Sequence, residues 1–155
     1  MAEKYGPVPQ SMRDEQLSDL LAAHRFGALA ANQSSGHPHL STVAYTWDSR
    51  QRVIRISTSA GLLKVRLLHK DPRCALYVAS DDFRAFVVAE GEAELSPVST
   101  EPGDEVGREL LAMQPPSAVS GPGREEAFLR QVVADQRLVI RIRVTRLYGT
   151  SLPVG

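Results

Sequence analysis

The sequence predicts a mainly β domain with some α-helix, built as a six-stranded antiparallel barrel with peripheral helices. Six short segments are rich in β-branched and apolar residues, and several alternate apolar and polar positions with the period of two that a pleated strand requires. Polar turns join most of these segments as hairpins. The chain has 155 residues, of which 43 % are hydrophobic, and this is enough apolar material for one core. We therefore expect an N-terminal arm at residues 1–12 and one domain at residues 13–155.

A helix and then a β-hairpin are predicted in the first third of the chain. Ser11 followed by Asp14 and Glu15 favours a helix start, and a stripe of leucines continues to about Arg25. The segment FGALAANQ is a short strand, residues 34–38 form a turn, and HLSTVAYTWD is a second strand. Successive residues of that second strand point to opposite faces of the sheet.

The central stretch, residues 52–73, is a strand that runs into a helix. Apolar and polar residues alternate up to Ser59, which we expect to cap the helix, and leucines then recur at helical spacing until Asp71-Pro72 ends it. Lys64 lies in the first turn of that helix. Hydroxyl groups, backbone N–H groups and a lysine at a helix N-terminus favour phosphate binding. The alternative is an ordinary helix cap with a lysine that points into solvent.

The second half of the chain supplies three more strands and two helices. Residues 73–79 and 85–95 are strands, and Gly91 within the second of these indicates a bulge or a barrel corner. Residues 104–113 and 125–134 are predicted helices, separated by an irregular stretch at residues 114–123. The last strand, residues 137–147, carries Leu138, Ile140, Ile142 and Val144 on one face.

Composition excludes several classes of function. Lysine plus arginine and aspartate plus glutamate both number 18, so the net charge is +0 and no basic field draws the chain to nucleic acid. The single Cys74 excludes an internal disulfide and a cysteine-based metal cluster, and we expect a buried thiol there. We predict no metal site and, in the absence of a long apolar run or a secretion signal, no membrane partner and a cytoplasmic protein.

A homodimer is expected because part of the outer barrel surface is predicted to be apolar. We assign Val43, Tyr45, Trp47 and Phe86 to the face that the barrel interior does not use. A domain of this size cannot cover both faces of its sheet, so a second copy is the natural cover.

Four segments in this order resemble the pyridoxamine 5′-phosphate oxidase-like split β-barrel superfamily, and within it the flavin/deazaflavin oxidoreductases that use coenzyme F420. They are GHPHLSTVAYTWD at residues 36–48, K-x-R-x-L-x-x-D-P-R at residues 64–73, VAEGEAEL at residues 88–95, and residues 137–149. The resemblance covers nearly the whole chain and implies the FMN-binding type of split barrel.

The resemblance implies a dimer with a cofactor site at the subunit interface. By correspondence of position, Lys64 would bind the cofactor phosphate, with Ser57 and Ser59 as further contacts. His39, Ser41 and Thr42 would lie beside the ring and its chain. Ser41 and Thr42 point to opposite faces, so we expect only one of their side chains to take part. For His39, a role as a surface residue is as good an interpretation as a ligand role.

One departure bears on the phosphate site. Relatives commonly carry an arginine one or two residues before the lysine, where this chain has Leu62 and Leu63. Losing one charged contact weakens anion binding by about one to two powers of ten. Arg66 and Arg55 are possible substitutes, and the other interpretation is a site that binds cofactor weakly or not at all.

The expected function is hydride transfer from reduced coenzyme F420 to a small unsaturated or quinone-like substrate. The alternatives are an FMN-dependent oxidase or reductase on the same fold and a non-catalytic dimer that binds or carries a cofactor. A haem site remains a weaker alternative, for which the candidate ligands are His24, His37, His39 and His69. We nominate no catalytic proton donor, because Glu90, Glu92 and Glu94 alternate on one strand as a solvated row.

Overall fold

A computed structural model describes residues 6–153 of the chain. It shows a closed six-stranded antiparallel barrel with helices, which confirms the predicted fold class. In chain order the elements are β1 Gln10–Ser11, α1 Asp14–Ala23, β2 Phe26–Asn32, β3 Pro38–Asp48, β4 Val53–Ser59, α2 Leu63–Lys70, β5 Arg73–Ala79, β6 Phe86–Leu95, α3 Glu105–Ala112, α4 Pro116–Val119, α5 Arg124–Ala134, β7 Arg137–Tyr148 and β8 Thr150–Ser151. The barrel order is β2-β3-β4-β7-β6-β5, and pairing of β2 with β5 closes it.

The barrel interior follows the period-two pattern of the sequence. Every second residue of β4 is buried, as are Leu138, Ile140 and Ile142 of β7, and the two strands pair so that Ile54 faces Ile142 and Ile56 faces Ile140. The predicted inward face of β7 is therefore confirmed. β-Branched side chains fill a pleated, fully buried surface well.

Two helices close the opposite ends of the barrel. Helix α1 inserts Leu17 and Leu21 into the core, and it is tied to the end of β3 by a hydrogen bond from Trp47 Nε1 to Ser18 Oγ at 3.0 Å. Helix α2 follows the end of β4 and buries Val65 and Leu68 in the same core. Because β3 and β4 are antiparallel, the start of β3 lies at the α2 end of the barrel.

The assignment of Val43, Tyr45 and Trp47 to the outer surface is wrong. Val43 and Tyr45 are buried in the core, and Trp47 is half-buried against it. The reason is α1, whose Leu21 carbonyl oxygen accepts a hydrogen bond from the Tyr45 hydroxyl at 2.6 Å. That contact satisfies the phenol inside the protein, and burial raises its pKa well above the usual value.

The barrel is split between β3 and β4. These strands pair from Tyr45–Ile56 to Asp48–Val53, near the α1 end, whereas the pairing of β3 with β2 extends to Pro38 at the other end. Among the described residues, the first half of β3 therefore pairs with β2 alone. At the α2 end of the barrel, the start of β3 and the end of β4 are therefore not paired with each other.

Three local features differ from or extend the predictions. Within the expected N-terminal arm, Gln10–Ser11 pairs with Thr150–Ser151, while the first five residues of that arm lie outside the described part of the chain. The stretch predicted to be irregular contains the one-turn helix α4, which has a proline in its first turn as proline's fixed φ allows. No helix among residues 6–153 is long and apolar enough to cross a membrane.

The bulge predicted at Gly91 is confirmed. The β6–β7 register shifts between Glu90 and Gly91, and a Cβ atom at Gly91 would lie 2.1 Å from the carbonyl oxygen of Arg143. The backbones approach too closely there for any side chain. By contrast, nothing lies within 4 Å of the corresponding position at Gly61.

We predict that Gly91→Ala lowers the free energy of unfolding by about 2 kcal/mol or more, since the added methyl group must push two strands apart. Gly61→Ala is the matched control and should change it by no more than about 0.5 kcal/mol. Urea titrations of both variants at equal protein concentration measure the difference. Equal stability of the two variants would contradict the close approach at Gly91.

Candidate functional site

The turn from β4 to α2 contains an uncapped helix start. Helix α2 begins at Leu63 with Leu62 as its N-cap, and no side chain hydrogen-bonds to its first turn. The prediction that Ser59 caps this helix is wrong, because Ser59 is still in the strand and pairs with Arg137. Its carbonyl oxygen, not its hydroxyl, accepts a hydrogen bond from the Leu62 N–H at 3.3 Å. The helix N-terminus therefore keeps N–H groups without a side-chain acceptor.

Lys64 is the second residue of α2 and is half-buried. Burial lowers its pKa from the usual 10.5, with no contribution from a neighbouring carboxylate. A partly desolvated ammonium group without an acidic partner attracts an anion more strongly than a fully hydrated one. Lys64 is thus located where the sequence predicted, in the first turn of the helix.

Ser57 and Ser59 both point to the outer face of the barrel, because the residues that alternate with them on β4 are buried. The outer hydroxyl of Ser57 accepts a hydrogen bond from Arg137 Nη1 at 3.2 Å. The two serines and Lys64 flank one strand-to-helix turn, as predicted, although their role as cofactor contacts stays a prediction.

Arg137 is the residue that sequence reasoning missed. It begins β7, lies directly opposite Ser59 in the register, and has Asp135 Oδ2 at 3.8 Å from its Nε atom. The N–H of Ala60 also donates to the carbonyl oxygen of Gln136 at 3.0 Å, so the turn is fixed to this segment. The sequence shows only that a basic residue begins this strand. The pairing of β4 with β7 is needed to place that residue at the turn.

The two arginines considered as substitutes for the missing phosphate contact are placed differently. Arg55 Nε donates to Glu109 Oε2 at 3.0 Å, and Arg55 also lies 3.8 Å from Asp48. It therefore joins β4 to α3 and is not free for a ligand. Arg66 is exposed on α2.

His39, Ser41 and Thr42 lie at the start of β3, beside the split. His39 and Ser41 are half-buried and share the inward alternation of Val43, whereas Thr42 is exposed on the outer face. Ser41 and Thr42 thus point to opposite faces, which confirms that part of the prediction. The structure brings these residues to the α2 end of the barrel but divides them between its two surfaces.

Buried polar atoms without a hydrogen-bond partner concentrate at the split. Among the described residues they include His39 Nδ1 and Ser41 Oγ on β3 and Thr58 Oγ1 on β4. Unsatisfied buried polar atoms are uncommon in folded proteins and usually mark water or ligand contacts. Thr58, on the edge of the split opposite β3, is a second residue that the sequence analysis did not single out.

A groove of about 490 Å³ lies elsewhere, at the opposite end of β4 and β7. Several arginines line it, but their charges are matched by acids: Arg52 pairs with Asp14, and Arg141 pairs with Glu109 and Glu94. Such paired charges have little affinity left for an anion. We therefore do not place the phosphate site in this groove.

An apolar area, which we call the outer apolar face, crosses the sheet outside the barrel. It comprises Phe26, Leu40, Tyr77, Phe86 and Tyr148, with Phe26 and Leu40 65 % and 64 % exposed. The Tyr77 and Phe86 rings are stacked with their centroids 5.5 Å apart. Register pairs connect the area across the sheet: Ala28, two residues after Phe26 on β2, pairs with Tyr77, Tyr77 pairs with Val88, and Val88 pairs with Tyr148. Apart from Phe86, these are not the residues that the sequence analysis assigned to the outside.

Other reactive groups are structural. The row of Glu90, Glu92 and Glu94 points outward and faces arginines of β7, as expected of a solvated row. Burial raises the pKa of the Cys74 thiol to about 12, which keeps it protonated and inert. Within residues 6–153 no group of three or more His, Cys, Asp or Glu side chains is arranged to hold a metal ion.

Solved structures share this fold at low sequence identity. A FAD-binding protein from Mesorhizobium loti is 18 % identical, with a TM-score of 0.67 over 96 % of this chain and 100 % of that one. An F420 reductase is 21 % identical, with a TM-score of 0.60 over 84 % and 94 %. A conserved hypothetical protein from Mycobacterium tuberculosis is 22 % identical, with a TM-score of 0.66 over 100 % and 96 %.

The sequence itself matches a family model over most of its length. The model describes pyridoxamine 5′-phosphate oxidase and matches residues 14–151, a span that runs from the first residue of α1 to the last residue of β8. It therefore includes the whole barrel and the β4–α2 turn. This chain belongs to the pyridoxamine 5′-phosphate oxidase family.

Proposed function

We propose that this chain is an oxidoreductase that binds a flavin-type cofactor, coenzyme F420, with the cofactor phosphate at the β4–α2 turn. The observation that carries the proposal is the uncapped start of α2 beside the half-buried Lys64 and the outward hydroxyl of Ser57. Backbone N–H groups, a helix dipole and a cation then act on the same anion. The F420 reductase and the FAD-binding protein with this fold support a cofactor of this chemical class.

The residues around the split fit such a cofactor. A ring system with carbonyl and nitrogen atoms and a hydroxylated chain can contact the half-buried His39 and Ser41, whose Nδ1 and Oγ atoms have no hydrogen-bond partner among the described residues. Thr42, exposed on the outer face, is available to the same chain from the other side of β3. These contacts would orient the cofactor relative to its phosphate.

When bound in its reduced form, the cofactor supplies a hydride to an electron-poor carbon, and we propose a small unsaturated or quinone-like substrate. The task of the protein is to hold the two reactants in contact and to exclude water. Exposed apolar side chains near the turn, Leu62 and Leu63 among them, suit an aromatic reactant more than a charged one.

We propose that a second copy of the chain covers the outer apolar face, so that the cofactor lies at the interface. The exposed Phe26 and Tyr77 and the half-buried Phe86, which stacks on Tyr77, form an apolar patch of the kind that usually marks an interaction surface. A two-fold dimer covers such a face with the same face of its partner.

FMN is the second candidate, favoured by the FAD-binding protein that shares the fold over the full length of that chain. FMN and F420 both carry a ribityl phosphate, so the same turn serves either. Fluorescence titration of the purified protein with each cofactor separates them. Tighter binding of F420 supports the proposal, tighter binding of FMN replaces it with the second candidate, and binding of neither rejects both.

Lys64→Ala should weaken binding of the preferred cofactor by about tenfold or more, because it removes the ammonium group nearest the helix start. Lys70→Ala is the control, since Lys70 is exposed in the last turn of the same helix. Fluorescence titration gives both dissociation constants. If the two variants bind alike, the phosphate does not lie at Lys64.

Cofactor affinity should decrease with rising pH before an exposed lysine, with its usual pKa of 10.5, would lose its charge, because burial lowers the pKa of Lys64. At lower pH the lysine is charged and affinity should be independent of its titration. The same titrations with Lys64→Ala should show a much flatter profile. An equally steep alkaline decrease in that variant would assign the effect to another group.

Phe26→Asp should convert a dimer into a monomer, because it places a carboxylate on the outer apolar face at its most exposed aromatic position. Phe83→Asp is the control, since Phe83 is 76 % exposed in the β5–β6 turn and outside that face. Size-exclusion chromatography with light scattering should give twice 16.9 kDa for the wild type and the control, and 16.9 kDa for Phe26→Asp. A monomeric wild type would refute the dimer.

A further inference from the structure

We propose that Arg137 is a phosphate-binding residue of this site and that it makes the site selective for phosphorylated cofactors. The inference rests on the proposed function, since it assigns a further residue to the same anion. Arg137 belongs to β7, 80 residues along the chain from Ser57, and nothing in the local sequence around Lys64 points to it.

The backbone places Arg137 at the β4–α2 turn. It pairs with Ser59, the last residue of β4, and its neighbour Gln136 accepts a hydrogen bond from the Ala60 N–H. These bonds hold the segment before α2 against the start of β7. The backbone of Arg137 is therefore fixed beside the turn by main-chain contacts, and the hydrogen bond to Ser57 Oγ holds its guanidinium group on the outer face of β4.

The guanidinium group retains donors for a ligand. Its Nη1 atom donates to Ser57 Oγ at 3.2 Å, and its Nε atom lies 3.8 Å from the Asp135 carboxylate, beyond hydrogen-bond distance. An arginine side chain has five N–H donors in a planar fork. With the side chain 37 % exposed, Nη2 remains available to a phosphate oxygen while Nη1 orients the Ser57 hydroxyl.

The first turn of α2 needs such a partner. It offers one cation, Lys64, and its two preceding side chains, Leu62 and Leu63, are apolar and 46 % and 37 % exposed. A lysine acts on a phosphate as a point charge, whereas an arginine can bind two of its oxygens at once. Arg137 thus supplies from β7, through Nη2, the guanidinium contact that the helix lacks.

Two pairs of ligands test the phosphate: FMN and riboflavin differ only in the phosphate, and F420 differs from its deazariboflavin core in the phosphate and the groups attached to it. For Arg137→Gln we expect the preference of the protein for FMN over riboflavin to fall by about tenfold or more, since one charge-assisted contact is lost. The preference for F420 over its core should fall in parallel. Riboflavin itself should bind about as it does to the wild type.

The control is Arg143→Gln, which removes the same charge from the same face of β7. Arg143 is 77 % exposed and, like Arg137, has an acidic neighbour, Glu94 at 3.5 Å. This variant should keep the wild-type preference for FMN. Arg137→Lys should restore part of it, because the charge returns without the planar fork.

A purely structural role for Arg137 predicts a different pattern. Loss of the bond to Ser57 would then weaken riboflavin and FMN equally and leave their ratio unchanged. An unchanged ratio in Arg137→Gln, with the wild type preferring FMN, overturns the inference while the proposed function stands.

Failure of the proposed function is recognised separately. If the wild type binds none of the four ligands, inorganic phosphate is titrated while the backbone amide resonances of Leu63 and Lys64 are followed by NMR. Shifts in the wild type that are absent in Arg137→Gln support the anion site and reject the cofactor proposal. Shifts of equal size in both proteins, or none in the wild type, reject the role of Arg137.

Discussion

The pairing of β4 with β7 is the constraint on which the rest of the structure depends. From Val53–Arg143 to Ser59–Arg137 the two strands stay in one register, and this single alignment decides both surfaces of the sheet. On the inside it brings the isoleucines of the two strands face to face in the core. On the outside it brings Arg137 to the Ser57 hydroxyl, near the end of β4. A slip of the register by one residue would move the core side chains to the outer face. The packing of the core therefore also fixes the position of Arg137 relative to Ser57.

Much of the fold could be predicted because its determinants are local. Period-two alternation, turn residues and Asp71-Pro72 define the barrel strands and the end of α2 without knowledge of the tertiary structure. The choice of inner face on β3 could not be predicted, since both faces of that strand mix polar and apolar residues. It was decided by α1, whose carbonyl oxygen accepts the Tyr45 hydroxyl. Contact with α1 thus places Val43, Tyr45 and Trp47, which were predicted to face outward, against the core.

The candidate site likewise contains residues that the local sequence predicts and residues that only tertiary contacts reveal. Lys64 and Ser57 are neighbours in sequence, and a strand followed by a helix is enough to place them at one turn. The start of that helix was misplaced because a serine after a strand resembles an N-cap, while pairing with β7 keeps Ser59 in the strand. Arg137 became a candidate because the pairing of β7 with β4 brings it to Ser57, 80 residues away in sequence. Thr58 became a candidate because its hydroxyl has no hydrogen-bond partner among the described residues. Neither contact can be predicted from a local sequence pattern.

The bulge at Gly91 has a consequence for how the chain folds. It shifts the register so that Glu92 faces Arg143 and Glu94 faces Arg141. If the pairing of Glu90 with Arg146 continued without the shift, Glu92 and Glu94 would face Val144 and Ile142, and carboxylates would lie against the apolar row of β7. Strands this far apart in sequence meet late and can pair in several registers. In the shifted register both carboxylates have arginine partners, whereas in the unshifted register they would face apolar side chains. The bulge therefore favours the native register over the competing one when the barrel closes.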